Sequence, residues 1–159
     1  MMKNIVVDVI GKAMHGHFTH RNSFTILDGL THEQAIQQTI GNDYSSWEIL
    51  YHMVFWQEMA LNLFKGAEVD WREAMKKDWP SKDLQKKHEW DTLVERFKTA
   101  TSTYVDLLEK VDLSAPVKSL RDAPMLKVFV IIAQHNSYHL GQIVMNRKAQ
   151  GSWPPPEQD

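Results

Sequence analysis

Val128-Phe129-Val130-Ile131-Ile132-Ala133-Gln134-His135-Asn136-Ser137-Tyr138-His139-Leu140-Gly141-Gln142-Ile143-Val144-Met145-Asn146 is the stretch on which the reading of this chain turns. Apolar side chains recur along it every three or four residues, the period of an α-helix that buries one stripe. The inward stripe runs Val128, Ile131/Ile132, His135, His139, Gln142 and Met145/Asn146, so two imidazoles interrupt an otherwise oily seam. Residues four apart on a helix stand one above the other, which lets both rings reach one ion without bending the backbone. A buried polar ring without a partner costs about 1–3 kcal/mol, so histidines on a core face call for something that satisfies them.

Working outward, Asp122 and Pro124 take the N-cap and early-turn places and Gly151 the C′ place of a helix over about 125–150. A preceding helix over about 87–111 carries Trp90, Leu93, Phe97, Ala100, Tyr104 and Leu107/Leu108 on one face and ends before Pro116. Further upstream, Ser45 or Ser46 caps a helix over about 47–64, stopped near Gly66, with the stripe Ile49, Met53, Trp56, Ala60 and Leu63. His52 lies on that same face and supplies a third inward imidazole. The first helix runs over about 3–14, with Ile5, Val6, Val9, Ile10 and Ala13 as its stripe. A shorter helical piece over 23–30 follows, and Thr31-His32-Glu33-Gln34 has the spacing of a capping box. Residues 65–82 lack a continuous period and read as a long connection pinned by Trp71, Trp79 and Pro80. No stretch alternates cleanly as a strand would. The expectation is an all-α four-helix bundle with a short extra helix after the first, one domain over 1–151, and a Pro-rich tail over 152–159.

With 159 residues, 43% of them hydrophobic, the chain is long enough for one real core. Eighteen basic and twenty acidic residues leave a net charge of −2, and short basic runs such as Lys86-Lys87 are bordered by acids. That balance argues against nucleic acid as a partner. The longest apolar run, 128–133, is far too short to cross a bilayer, and Asp8 and Lys12 interrupt the N-terminus before a signal-peptide core forms, so a cytoplasmic protein without a membrane partner is expected. With no cysteine, any metal must rest on histidine or carboxylate ligands.

Two readings of His52, His135 and His139 stand side by side. They are hydrogen-bonded core histidines, or they share one divalent ion, zinc, nickel or a similar metal, with coordination positions left open for water or substrate. A di-iron carboxylate site needs Glu-x-x-His pairs, and no glutamate here has a histidine three residues later. Tyr138 and Gln142 flank the ligand pair and can orient water or a ligand imidazole, although helix packing is the plainer use of Tyr138. Glu48, one turn before His52, is a candidate general base against the default of a first-turn surface glutamate. Phe55 and Trp56 read as core. His15, His17 and His20 read as a polar turn.

Two motifs carry a family resemblance. Ser46-Trp47-Glu48-Ile49-Leu50-Tyr51-His52-Met53-Val54-Phe55-Trp56 resembles the first histidine motif of DinB/YfiT-like proteins, and Ala133-Gln134-His135-Asn136-Ser137-Tyr138-His139-Leu140-Gly141-Gln142-Ile143 the second and more specific one. The likeness extends to Leu30-Thr31-His32-Glu33-Gln34-Ala35, to Asp78-Trp79-Pro80 and to Gly151-Ser152-Trp153-Pro154-Pro155-Pro156. It implies a four-helix bundle, often a homodimer, with a metal on His52, His135 and His139, and it leaves a substrate-facing role open for His15 or His17. Some members of that family are S-transferases that use a low-molecular-weight thiol such as bacillithiol, mycothiol or glutathione. Without cysteine, this chain would take its sulfur nucleophile from such a thiol and act on a small-molecule electrophile. A metal-dependent hydrolase and a non-catalytic metal-binding bundle are the alternatives.

Overall fold

The computed structural model describes residues 2–85 and 89–155. The expected helix start at Lys87, the Lys86-Lys87 pair and the end of the tail at 156–159 lie outside the described residues. Among those described, four long helices dominate: α1 (Met2–Met14), α4 (Ser46–Leu63), α7 (Trp90–Lys110) and α8 (Met125–Ala149). Four short ones sit in the connections: α2 (Ser23–Leu27), α3 (His32–Ile36), α5 (Trp71–Met75) and α6 (Lys82–Gln85). The protein is therefore all-α, as the periodicity predicts. It carries two short helices after α1 rather than one, because Asp28 is extended and ends the first of them at Leu27. The capping box at Thr31 forms as its spacing predicts, with Thr31 and Gln34 each satisfying the other's backbone amide.

The long helices bury the faces their spacing selects. Trp90, Leu93, Phe97, Ala100, Tyr104 and Leu108 of α7 are buried, as are Ile49, Met53, Ala60 and Leu63 of α4. Burying a side chain the size of leucine or phenylalanine stabilises the fold by about 1.5–3 kcal/mol. α4 lies against both α7 and α8, and α1 against the same two. Trp47 and Leu50 share one apolar cluster with Leu140 and Ile143. Ala60 and Leu63 share the other with Phe129 and Ile132. The two helices therefore run antiparallel, and on α8 the interval between the clusters is where His135 and His139 fall.

On α1 the expected stripe divides. Ile5 and Val9 are each 55% exposed, while Val7, Ile10 and Ala13 pack inward and Met14 is buried. Asn4, Asp8 and Lys12 mark one exposed polar edge of that helix, and the apolar arc beyond them is too broad for period alone to choose its inner part. α8 resolves its paired alternatives in favour of Ile132 and Asn146; Ile131 and Met145 face outward.

The entry to α8 corrects the reading of Asp122. Asp122 adopts a left-handed conformation (φ 58°) next to Arg121 (φ 56°), in the turn of a two-stranded antiparallel ribbon, Pro116–Val117 with Ala123–Pro124. The N-cap is Pro124. Two of the free amides that begin α8 are satisfied by backbone carbonyls instead: Met125 N–H donates to Ala115 O (2.8 Å) and Leu126 N–H to Leu113 O (2.9 Å).

Arg147 is buried and fastens the end away from this ribbon. Its guanidinium donates to the carbonyls of Ile26, Asp28 and Ser152, tying the α2–α3 corner and the start of the tail to α8. Trp153 packs against the first apolar cluster. No helix among the described residues is long and apolar enough to cross a membrane.

Candidate metal centre

Ser45 begins α4 with a second capping box: its hydroxyl accepts from Glu48 N–H, and its own N–H and hydroxyl donate to Glu48 Oε2 at 2.8 and 2.9 Å. The helix is thereby fixed so that Ile49 and Met53 enter the core with His52 between them. His135 and His139 face it from α8. His52 and His139 are each 7% exposed and His135 is half-buried. The three can offer ligand atoms that all lie within 4.8 Å of one another, and no other group of three His, Cys, Asp or Glu among the described residues does so.

The hydrogen bonds around the rings fix what those atoms present. His52 Nδ1–H donates to the Asp78 carbonyl at 3.1 Å, since a carbonyl can only accept. His139 Nδ1–H donates to Gln142 Oε1 at 2.6 Å. Both neutral rings therefore turn an Nε2 lone pair toward the centre of the trio. His52 Nε2 lies 3.1 Å from His135 Nε2, so a proton or a cation must stand between two atoms that would otherwise repel. Two nitrogens on one tetrahedral ion sit about 3.3 Å apart. That edge is already at the length a metal needs, and the donor set suits a divalent ion of borderline softness.

Electrostatics point the same way. Burial, reinforced by His139 and His52 nearby, pushes the His135 imidazole down to about 3. Burial and the nearby His139 lower His52 against the opposing pull of Asp78, and burial lowers His139 against Gln142. The rings are held neutral near pH 7, the state a metal ligand requires. His135 differs in one respect. Its Nδ1 is buried without a hydrogen-bond partner, and so are both amide atoms of the adjacent Asn136.

The segment between α5 and α6 completes the site. Asp78 Oδ2 accepts from Trp56 Nε1–H at 3.2 Å and lies 3.6 Å from His52 Nδ1. Trp79 lies flat on His52, with ring centroids 4.2 Å apart, and Tyr44 stacks on Trp79 at 3.7 Å. Trp56 is thus half-buried and part of the site wall, stacked on Trp71, rather than core; the half-buried Phe55 meets Trp56 edge to face. The signal for this contribution was the aromatic pinning of a long connection, but nothing in the spacing of Asp78 identifies it as the group behind His52.

The remaining expectations divide. Gln142 does bond a trio imidazole. Tyr138 is 67% exposed, meets the His139 ring edge to face with centroids 5.0 Å apart, and has its hydroxyl 3.5 Å from Gln142 Nε2. The Glu48 carboxylate is engaged in the capping box, and a base role would require that box to open. In the α1–α2 connection, His17 is exposed against Phe18, and His15 packs edge-on to Phe24 with burial lowering its pKa. His20 reaches Ser137 Oγ at 3.1 Å with its ring folded over Gly16, where it fills the place a Cβ would take.

A helical bundle with two histidines on one helix facing a third on its antiparallel neighbour matches the family model of the DinB superfamily over residues 16–143. No curated protein and no solved structure matches the chain. With most of its length inside that match, both histidine motifs included, the chain belongs to the DinB superfamily.

Proposed function

We propose that this protein holds one divalent ion, zinc or nickel, on the Nε2 atoms of His52, His135 and His139, and that it is a transferase joining the sulfur of a low-molecular-weight thiol to a small electrophile. The observation that carries the reading is the convergence of three neutral imidazoles in a place where no fourth His, Cys, Asp or Glu of the described residues joins them. Three protein ligands leave coordination positions for a group from outside, the pattern of catalytic rather than structural sites.

A bound divalent ion would supply Lewis acidity, which favours thiolate over thiol near neutral pH. The chain's own groups prepare the place. The Asp78 carbonyl and Gln142 hold two imidazoles with their lone pairs inward, and Trp79 covers one face of His52 against water. Tyr138 stands at the rim with its phenol toward Gln142, placed to meet a substrate. In the reaction the thiolate sulfur forms a bond to the electrophilic carbon and the leaving group departs with that carbon's bonding pair. The chain has no cysteine, so the thiol must be a second substrate.

A second copy of the chain belongs to the proposal. Ile5 and Val9 on α1 and Ile131 on α8, which packs against α1, are exposed apolar side chains of the kind a homodimer buries. Sedimentation of wild type against Val9→Glu tests it, with a monomer expected from the variant.

The functional test is turnover of a haloaromatic electrophile by zinc- or nickel-loaded protein with bacillithiol, mycothiol or glutathione. Thiol-dependent loss of the leaving group, abolished in His135→Ala, is expected. Turnover of an ester without thiol would favour hydrolysis instead, and no turnover with a full complement of metal would leave a binding protein.

A further inference from the structure

One histidine outside the metal centre has a hydroxyl on its ring. His20 Nδ1–H donates to the Arg21 carbonyl at 2.7 Å, since a carbonyl can only accept, so the neutral ring presents a lone pair at Nε2. Ser137 Oγ–H stands 3.1 Å from that lone pair and donates to it. Gly16 seats the ring, which fills the place a Cβ would take there. Ser137 lies two residues from both His135 and His139, and the 3.6-residue period turns it to the opposite side of α8, toward the α1–α2 connection. Hydroxyl, imidazole and an acceptor that fixes the tautomer stand in the order that activates a serine for acyl transfer, with a backbone carbonyl in the carboxylate's usual place.

A groove of about 640 Å³ runs past the Ser137 hydroxyl, with Ala13, Phe18 and Ala133 as apolar walls and Gln134 one turn before the serine. Phe18 is 93% exposed in a left-handed conformation (φ 67°), which strains a bulky residue, and strain of that kind gathers at binding sites. We infer that Ser137 and His20 form a second, metal-independent catalytic site that hydrolyses carboxylic esters with an apolar acyl group. Ser137 Oγ forms a bond to the ester carbonyl carbon while its proton passes to His20 Nε2. The bond to the alcohol oxygen then breaks, and that oxygen keeps the bonding pair and takes the proton from His20. Water next adds to the acyl-serine, giving its proton to His20. The bond to Oγ breaks, the acid leaves, and Ser137 recovers the proton. Gln134 brings an amide donor to the same groove wall, the kind of group that stabilises the carbonyl oxygen as it gains charge.

The full chain, stripped of metal and kept in chelator, separates this site from the metal centre. A fluorophosphonate probe is expected to add one phosphonyl group per chain, mapped by peptide mass spectrometry to Ser137. Turnover of p-nitrophenyl butyrate is expected to fall about 100-fold or more in Ser137→Ala and in His20→Ala. Wild type left unlabelled at Ser137 overturns the inference, and that arm needs no variant. His20→Ala that keeps its helical circular dichroism and labels at the wild-type rate overturns it too, since a serine that merely packs against His20 owes the ring no reactivity. Ester turnover that vanishes in chelator and returns with zinc belongs to the metal centre, and it would likewise overturn a metal-independent site.

Discussion

The molecule contains two groups of three histidines, and only one of them brings its rings together. His15, His17 and His20 lie within six residues of one another, yet they scatter: one ring against Phe24, one into solvent, one onto Ser137. His52, His135 and His139 come from helices more than eighty residues apart and meet with two ring nitrogens at 3.1 Å. Nearness in sequence therefore counts for less than rigid helical faces, which fix where a side chain can point. The second group also has acceptors behind two of its rings, the Asp78 carbonyl and Gln142, whereas in the first His20 Nδ1 meets the Arg21 carbonyl at 2.7 Å and His15 Nδ1 is buried with no hydrogen-bond partner.

Removing each group in turn breaks or sharpens this contrast most strongly. His135→Ala combined with His139→Ala should abolish stoichiometric metal by elemental analysis, whereas His15→Ala, His17→Ala and His20→Ala together should leave it intact. The next effect is one of pH. His135 is held near 3 when folded against 6.5 for the free side chain, so the unfolded chain takes up the proton first as acid is added. The unfolded state then binds more protons, and metal-free stability should fall from about pH 6.5 downward until the folded ring also protonates near 3. Chemical denaturation across that window should show this acid limb, flattened in His135→Gln. An unchanged limb in that variant would mean the ring is not held neutral.

Smaller effects follow from the groups behind the rings. Gln142→Leu should cost about 10- to 100-fold in metal affinity, and Asp78→Ala less, because the backbone carbonyl that holds His52 survives the substitution. The smallest change is expected at the other group. Ser137→Ala removes the His20 contact and should cost about 0.5–1.5 kcal/mol of stability, with metal content untouched.

Much of this was legible in the residues. Four long helices, a cap at Ser45 or Ser46 and the capping box at Thr31 follow from spacing and from residues whose side chains can do only a few things locally; the packed structure selects Ser45. His52, His135 and His139 were legible because each interrupts an apolar stripe. Ile5 and Val9 are misplaced because the apolar arc of α1, opposite Asn4, Asp8 and Lys12, is broader than the stripe the helix buries. Asp122 was read as a cap because its residue type favours one, whereas long-range carbonyls from 113 and 115 took that work. Trp56 was read as core because a tryptophan on an inner stripe usually is. Its bond to Asp78 depends on how the segment after α5 folds back, and no local pattern encodes that. Asn136 left no mark, since being buried and unpaired is a property of the packed molecule alone.

The central claim is that three imidazoles hold one ion, and anomalous diffraction from a zinc-loaded crystal, recorded at the zinc edge, tests it most directly. A single strong peak about 2.0–2.1 Å from the Nε2 atoms of His52, His135 and His139 is predicted. A peak among His15, His17 and His20, or no ordered peak between α4 and α8 in protein that carries stoichiometric zinc, would contradict it.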